Sequence, residues 1–143
     1  MVLRRIGTLF VERVEPQGGV QSTVAALDAV RSGQILVFFP EGTLTRMPGV
    51  LSFRTGAFYV AAQSGTPVVP IAIRGTRSIL RGDQWFPRRG SVQIDVAPAI
   101  KASGRDGGAV VVLRDAVRRQ ILQRTGEPDL AGQSVEIAPP PLH

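Results

Sequence analysis

Apolar residues in this chain recur alternately at strand spacing and at helix spacing. Short apolar runs predict strands at residues 6–11, 35–39, 68–73 and 91–96. Apolar positions three or four residues apart predict helices at 20–33, 53–64 and 108–124. Strands that alternate with helices predict an α/β fold, a mostly parallel or mixed sheet flanked by helices. In such sheets ligands gather at the carboxyl ends of the strands.

Three local signals refine these predictions. The continuous apolar run Ile35–Phe39 stops at a proline and predicts a fully buried strand. Ser22 is a candidate N-cap, and Gly33 is suited to end the same helix. Pro70, inside the third predicted strand, implies an edge, a bulge or an unpaired amide.

The chain is long enough for one domain with a core. We expect that domain at residues 1–125, followed by a disordered proline-rich tail at 126–143. Residues 74–89 are predicted to form a long loop with Trp85 and Phe86 near its tip. This aromatic pair among arginines suits an interfacial anchor on anionic lipid, or equally a pair packed against the core.

Composition excludes several kinds of site. The chain of 143 residues has no cysteine, which excludes disulfides, thiolate metal sites and a cysteine nucleophile. Its single histidine, His143, is the last residue and comes shortly after three prolines, a poor place for a positioned base. The formal net charge is +6 and Lys101 is the single lysine, so arginine dominates and anionic partners are expected. No apolar run reaches the ~18 residues that a membrane-spanning helix needs.

The segment Phe39–Arg46 (Phe-Pro-Glu-Gly-Thr-Leu-Thr-Arg) lies at the end of a predicted strand. Together with Gly7–Arg13 and Val68–Thr76 it resembles the second, third and fourth sequence blocks of the phospholipid/glycerol acyltransferase family. Order and spacing match too, including the intervening Phe53–Phe58. The resemblance covers roughly residues 6–76, and three blocks in register are a specific signal where one would be weak.

The resemblance implies transfer of a fatty acyl group from acyl-coenzyme A or acyl carrier protein to a hydroxyl of a lysophospholipid or glycerol phosphate. No cofactor is implied beyond that acyl co-substrate. Among this chain's residues, Arg13 matches the arginine that contacts the acceptor phosphate, and Glu41 and Gly42 match the pair that orients the acceptor. Thr43 and Arg46, in the same block, complete the predicted substrate-binding set.

Charge qualifies part of this assignment. An arginine can donate two charge-assisted hydrogen bonds to phosphate, whereas the carboxylate of Glu41 repels it. Glu41 is therefore expected to hold Arg13 or Arg46, or to accept from a glycerol hydroxyl. Leu44 stands where the family more often has arginine, so Arg46 and Arg54 are the candidate substitutes.

The family's first block, a histidine and an aspartate separated by four residues, has no counterpart in this sequence. In the family the histidine is the general base and the aspartate orients it. The resemblance thus predicts an N-terminally truncated acyltransferase-like fold, with no catalytic residue among those present and no activity as this fragment. Such a fragment should expose apolar surface and self-associate.

Two alternatives stay open: a non-catalytic lysophospholipid- or phosphate-binding module, and a basic nucleic-acid-binding domain. The second has no recognisable motif behind it, so no nucleic acid is expected as a partner. The expected location is cytoplasmic, at the inner face of the membrane, with the membrane surface as a peripheral partner.

Overall fold

The structure, a computed structural model, describes residues 16–43, 47–79 and 86–132. Within these ranges the elements follow in the order α1 (Pro16–Arg31), α2 (Gly56–Ser64), β1 (Ile71–Arg74), α3 (Thr76–Ile79), β2 (Gln93–Val96) and α4 (Gly107–Thr125). The mixture of helices and sheet agrees with the α/β prediction. The predicted strand at 6–11 lies outside the described residues.

Helix α1 begins earlier than the sequence signals indicate. It starts at Pro16, whereas Ser22 was the expected N-cap. Proline suits the first turn of a helix because its φ is already helical and its missing N–H would be unpaired there. The predicted end is confirmed, since Gly33 has a φ of 86°. Ala26 is buried, while Val24 of the predicted apolar stripe is exposed.

Helices α2 and α4 pack together to form the core. Asp106 caps α4, with its carboxylate accepting a 2.8 Å hydrogen bond from the N–H of Ala109. Left-handed glycines, Gly65 and Gly126, end the two helices. The buried cluster comprises Val50, Phe53, Phe58, Ala61, Ala62, Val110, Leu113 and Val117. The helix predicted at 108–124 is thereby confirmed, together with its apolar face.

The sheet within the described residues is small and antiparallel, so the prediction of a mostly parallel or mixed sheet is not confirmed there. Strands β1 and β2 pair antiparallel, with Ile71 opposite Val96 and Ile73 opposite Ile94. Pro70 directly precedes β1 and is buried, consistent with the break predicted at this position. One parallel bridge occurs elsewhere, between Val50 and Asp129.

The two faces of this sheet differ in what covers them. Ala72 is buried on the face that meets α4, and beside it Asp95 forms a 3.3 Å ion pair with Arg124. The opposite face carries four apolar side chains that are 45–62% exposed: Ile71, Ile73, Ile94 and Val96. The alternation of apolar and polar residues at 91–96 predicted a strand with one exposed face. In the described part of the chain, the exposed face of β2 is the apolar one.

Residues 35–39 contradict the prediction of a buried strand. They form no strand, and Ile35 and Phe39 are 94% and 80% exposed. A strand needs a neighbour for its backbone groups, and no described segment pairs with this one. An apolar run specifies burial only when other elements are in place to cover it.

The predicted tail and loop also need correction. In the predicted tail, Leu130 is buried, and its N–H donates to the Val50 carbonyl at 3.0 Å. Residues up to about 130 thus pack on the domain, and 133–143 lie outside the described residues. The predicted 74–89 loop begins with the end of β1 and the short helix α3. Phe86 is 78% exposed and so is not packed in the core, while Trp85 lies outside the described residues.

Candidate functional site

A tight turn at residues 39–42 forms the centre of the predicted acceptor site. The N–H of Gly42 donates to the Phe39 carbonyl at 3.1 Å, and Gly42 has a φ of 68°. Glycine is required at this left-handed position, where a Cβ is strained. The Pro40 carbonyl accepts a 2.8 Å hydrogen bond from the N–H of Arg54, which joins the turn to the residues preceding α2.

Glu41 is held by the chain itself. Its Oε2 accepts a 2.9 Å hydrogen bond from the backbone N–H of Leu51. The predicted partners Arg13 and Arg46 lie outside the described residues, so that expectation is not tested. The observed contact gives the carboxylate a role in loop geometry that the sequence did not suggest.

Arg54 lies directly over Gly42. A Cβ placed on Gly42 would be 2.6 Å from Nε and 2.7 Å from Cδ of Arg54, so only glycine permits this approach. Arg54 is exposed. The ion pairs formed within the described ranges use Arg77, Arg114, Arg118 and Arg124, and Arg54 is in none of them. Its guanidinium is thus available to an anion at the mouth of the turn.

The segment Phe53–Phe58 serves the site by anchoring it in the core. The rings of Phe53 and Phe58 are stacked, with centroids 6.2 Å apart and an interplanar angle of 8°. Both are buried, whereas Arg54 between them points out to solvent. Because Phe53 and Phe58 are both held in the core, they fix the position of the Arg54 backbone at the surface.

The predicted site residues fall into two groups. Glu41 and Gly42 lie in one turn and Thr43 directly follows it, as their sequence adjacency requires, and Arg54 joins them through the fold. Arg13 and Arg46 cannot be placed, because they lie outside the described residues. Leu51 was missed, and no sequence signal marks a residue that acts through its peptide group.

Two further observations concern the described part of the chain. It holds no group of three or more His, Cys, Asp or Glu side chains that could bind a metal ion. None of its helices combines the length and the apolar character needed to cross a membrane.

The chain is similar to known acyltransferases. The family model described as Acyltransferase matches residues 1–74. A 1-acyl-sn-glycerol-3-phosphate acyltransferase of Brassica napus is 31% identical over 119 residues, which are 82% of this chain and 33% of that protein. A Haemophilus influenzae protein of the same name is 36% identical over 100 residues, 68% of this chain and 40% of its own length.

One solved structure shares the fold. The 1-acyl-sn-glycerophosphate (LPA) acyltransferase PlsC from Thermotoga maritima has a TM-score of 0.67 and 22% identity, over 85% of this chain and 49% of that one. The chain thus spans half or less of the length of these relatives. Since the family model covers more than half of the sequence and contains the turn at Glu41–Gly42, this chain belongs to the acyltransferase family.

Proposed function

We propose that this chain forms the acceptor-phosphate half of a 1-acylglycerol-3-phosphate acyltransferase site. The acceptor would be a lysophospholipid or glycerol phosphate, as the names of the similar proteins suggest. The observation that carries the proposal is the exposed Arg54 guanidinium lying against Gly42, in the turn that matches the family's third block.

The phosphate would bind above the turn. Arg54 would donate to it through the fork of its guanidinium, and Thr43, directly after the turn, would offer its hydroxyl as a second donor. The N–H of Gly42 is already directed to the Phe39 carbonyl in this structure, so glycine contributes space here rather than a hydrogen bond. Arg13 and Arg46 remain predicted contributors of further positive charge.

The reaction of the complete site would be a direct acyl transfer. The acceptor hydroxyl oxygen attacks the thioester carbonyl of acyl-coenzyme A or acyl carrier protein, the carbon–sulfur bond breaks, and the hydroxyl proton ends on the departing thiol. A general base must accept that proton first. This sequence offers His143 as its single histidine and has no histidine-aspartate block, so we propose that it binds acceptor without turning it over.

Membrane contact belongs to the same proposal. A lysophospholipid acceptor resides in a bilayer, and a net charge of +6 favours an anionic surface. Phe86 is exposed beside Arg88 and Arg89, which is the combination that an interfacial contact would use. The proposed location is therefore the cytoplasmic face of a membrane.

The first test is calorimetric titration of a short-chain lysophosphatidate, below its critical micelle concentration, into the protein. A monoacylglycerol of the same chain length lacks the phosphate and serves as the ligand control. Arg54→Gln should weaken lysophosphatidate about tenfold or more, because hydrogen bonds to a charged group are worth roughly 1.5–3 kcal/mol. Arg31→Gln removes an equal charge from the exposed end of α1 and should leave the Kd unchanged. Equal binding of both ligands would reject a phosphate site.

The second test separates an enzyme from a binding module. Acyl transfer from labelled acyl-coenzyme A to lysophosphatidate is measured for this chain and for a version extended upstream in its genomic frame. Turnover by the extended version alone, lost on Arg54→Gln, supports an acyltransferase. Phosphate-dependent binding without turnover in either version supports a non-catalytic module.

A further inference from the structure

The guanidinium of Arg118, on helix α4, donates hydrogen bonds to two separate segments of the chain. Its Nε donates to the Leu51 carbonyl at 3.0 Å, and Nη2 donates to the Val50 carbonyl at 2.8 Å. Nη1 and Nη2 also donate to the two carboxylate oxygens of Asp129, at 2.9 and 2.6 Å. The side chain is only 12% exposed, and its guanidinium carbon lies 5.8 Å from the centre of the Phe53 ring.

These contacts reach the acceptor turn through one residue. The peptide groups of Leu51 are held on both sides: its N–H by Glu41 and its C=O by Arg118. A continuous chain of hydrogen bonds therefore runs from Glu41 through Leu51 and Arg118 to Asp129. Arg118 also packs on Phe53, the residue directly before Arg54.

The segment that Arg118 holds is irregular, although Val50 and Phe53 also anchor it in the core. Residues 47–54 belong to no helix, and their one sheet-like contact within the described residues is the bridge from Val50 to Asp129. Gly49, with a φ of 141°, makes a sharp bend in it. Irregular segments of this kind hold their shape through side-chain contacts rather than through repeating backbone hydrogen bonds.

We propose that Arg118 is a positioning residue for the acceptor site: by fixing Val50 to Phe53, it holds the Glu41–Gly42 turn and the Arg54 side chain in their phosphate-binding arrangement. This inference rests on the proposed function, because it assumes that Arg54 binds phosphate. Asp129 acts indirectly, because its carboxylate holds the Arg118 guanidinium in place. Neither residue touches the ligand.

The test is a double-mutant cycle on lysophosphatidate affinity. Arg118→Gln should weaken binding about tenfold, and Arg54→Gln by a similar factor or more. If Arg118 acts through Arg54, the double variant should bind no more weakly than Arg54→Gln alone. Arg119→Gln, an exposed neighbour on the same helix, is the charge-matched control and should leave the Kd unchanged. Amide exchange at Leu51 should accelerate in Arg118→Gln and stay slow in Arg119→Gln.

Asp129→Asn is a second variant that tests the inference if Arg118→Gln does not fold. Asp129 is 55% exposed, so this substitution should leave the core intact while it loosens the guanidinium, with a smaller loss of affinity, about threefold. Wild-type Kd values in both Arg118→Gln and Asp129→Asn would overturn the inference, even with faster exchange at Leu51, since the contacts would then be structural only. Absence of phosphate-dependent binding in the wild-type protein would instead overturn the proposed function, and this inference with it.

Discussion

The carboxylate of Glu41 accepts a hydrogen bond of 2.9 Å from the backbone N–H of Leu51, ten residues further along the chain. An anion at a phosphate site is at first sight unfavourable, because like charges repel. The contact explains its presence, since the carboxylate binds the protein backbone and shapes the loop beside the proposed phosphate position. Arg54, which emerges from the same loop, supplies the positive charge.

Removal of the Glu41 carboxylate should destabilise the fold as well as the site. Glu41→Ala leaves the partly buried Leu51 N–H without its acceptor, at an expected cost of about 1–3 kcal/mol in the free energy of unfolding. Glu41→Gln keeps an oxygen that can accept the same bond and should cost clearly less. Urea denaturation of both variants measures the difference. Equal losses would show that the charge matters rather than the hydrogen bond.

Alanine at Gly42 should impair binding in a way that alanine at another left-handed glycine does not. Gly42 and Gly33 have φ values of 68° and 86°, so either substitution should cost about 1–2 kcal/mol of stability from backbone strain. A Cβ at Gly42 also collides with Arg54, whereas one at Gly33 meets nothing within 4 Å. Gly42→Ala should therefore weaken lysophosphatidate binding while Gly33→Ala leaves the Kd as in wild type. Calorimetric Kd values that rise equally in both variants would show that the contact of Gly42 with Arg54 does not explain the loss of binding.

The ion pair of Asp129 and Arg118 should make stability sensitive to acid. Hydrogen bonds from Arg118, with a further one from the Ala131 N–H, lower the pKa of Asp129 from 3.8 to about 2. Because the pKa is lower in the folded state, the stabilisation is fully present above about pH 4 and is lost as the pH falls toward 2. Asp129→Asn should be less stable than wild type near pH 6, and the gap should narrow below pH 4.

Urea midpoints of both proteins between pH 6 and pH 2 provide the measurement. Other carboxylates titrate in both proteins and cancel in the difference between them. A gap that stays constant across this range would show that the ionised Asp129 carboxylate contributes nothing beyond what asparagine does.

The apolar face of the sheet, which no described segment covers, should bind apolar probes. Ile73 and Ile94 are directly opposite each other and both are exposed, so replacing both with glutamine removes apolar surface at little cost to the core. The double variant should bind less of a fluorescent apolar dye and should self-associate less in sedimentation experiments. Val112→Gln, at an exposed position on α4, is the control. An equal decrease of dye binding in the control variant would mean that the sheet face is not the surface that binds the dye.

Local chemistry was sufficient to predict much of the helical structure. The helix predicted at 108–124 runs from Gly107 to Thr125, because its apolar spacing, the Asp106 cap and Gly126 all act within a few residues. Family membership likewise followed from three short blocks in order, since their spacing is a property of the chain alone. The turn that contains Glu41 and Gly42 was located by the same means.

The environment of those residues was decided only by the tertiary structure. The run Ile35–Phe39 has the composition of a buried strand yet is exposed, and Ile94 faces outward on a strand whose Asp95 faces α4. Sequence shows that a side chain is apolar, but burial depends on which other segments cover it. Arg118 contacts Leu51 across 67 positions, and no spacing rule connects two residues so far apart. By itself, then, the sequence determined the family, the extent of helix α4 and the position of the Glu41–Gly42 turn, while the contacts that hold that turn arise from long-range packing.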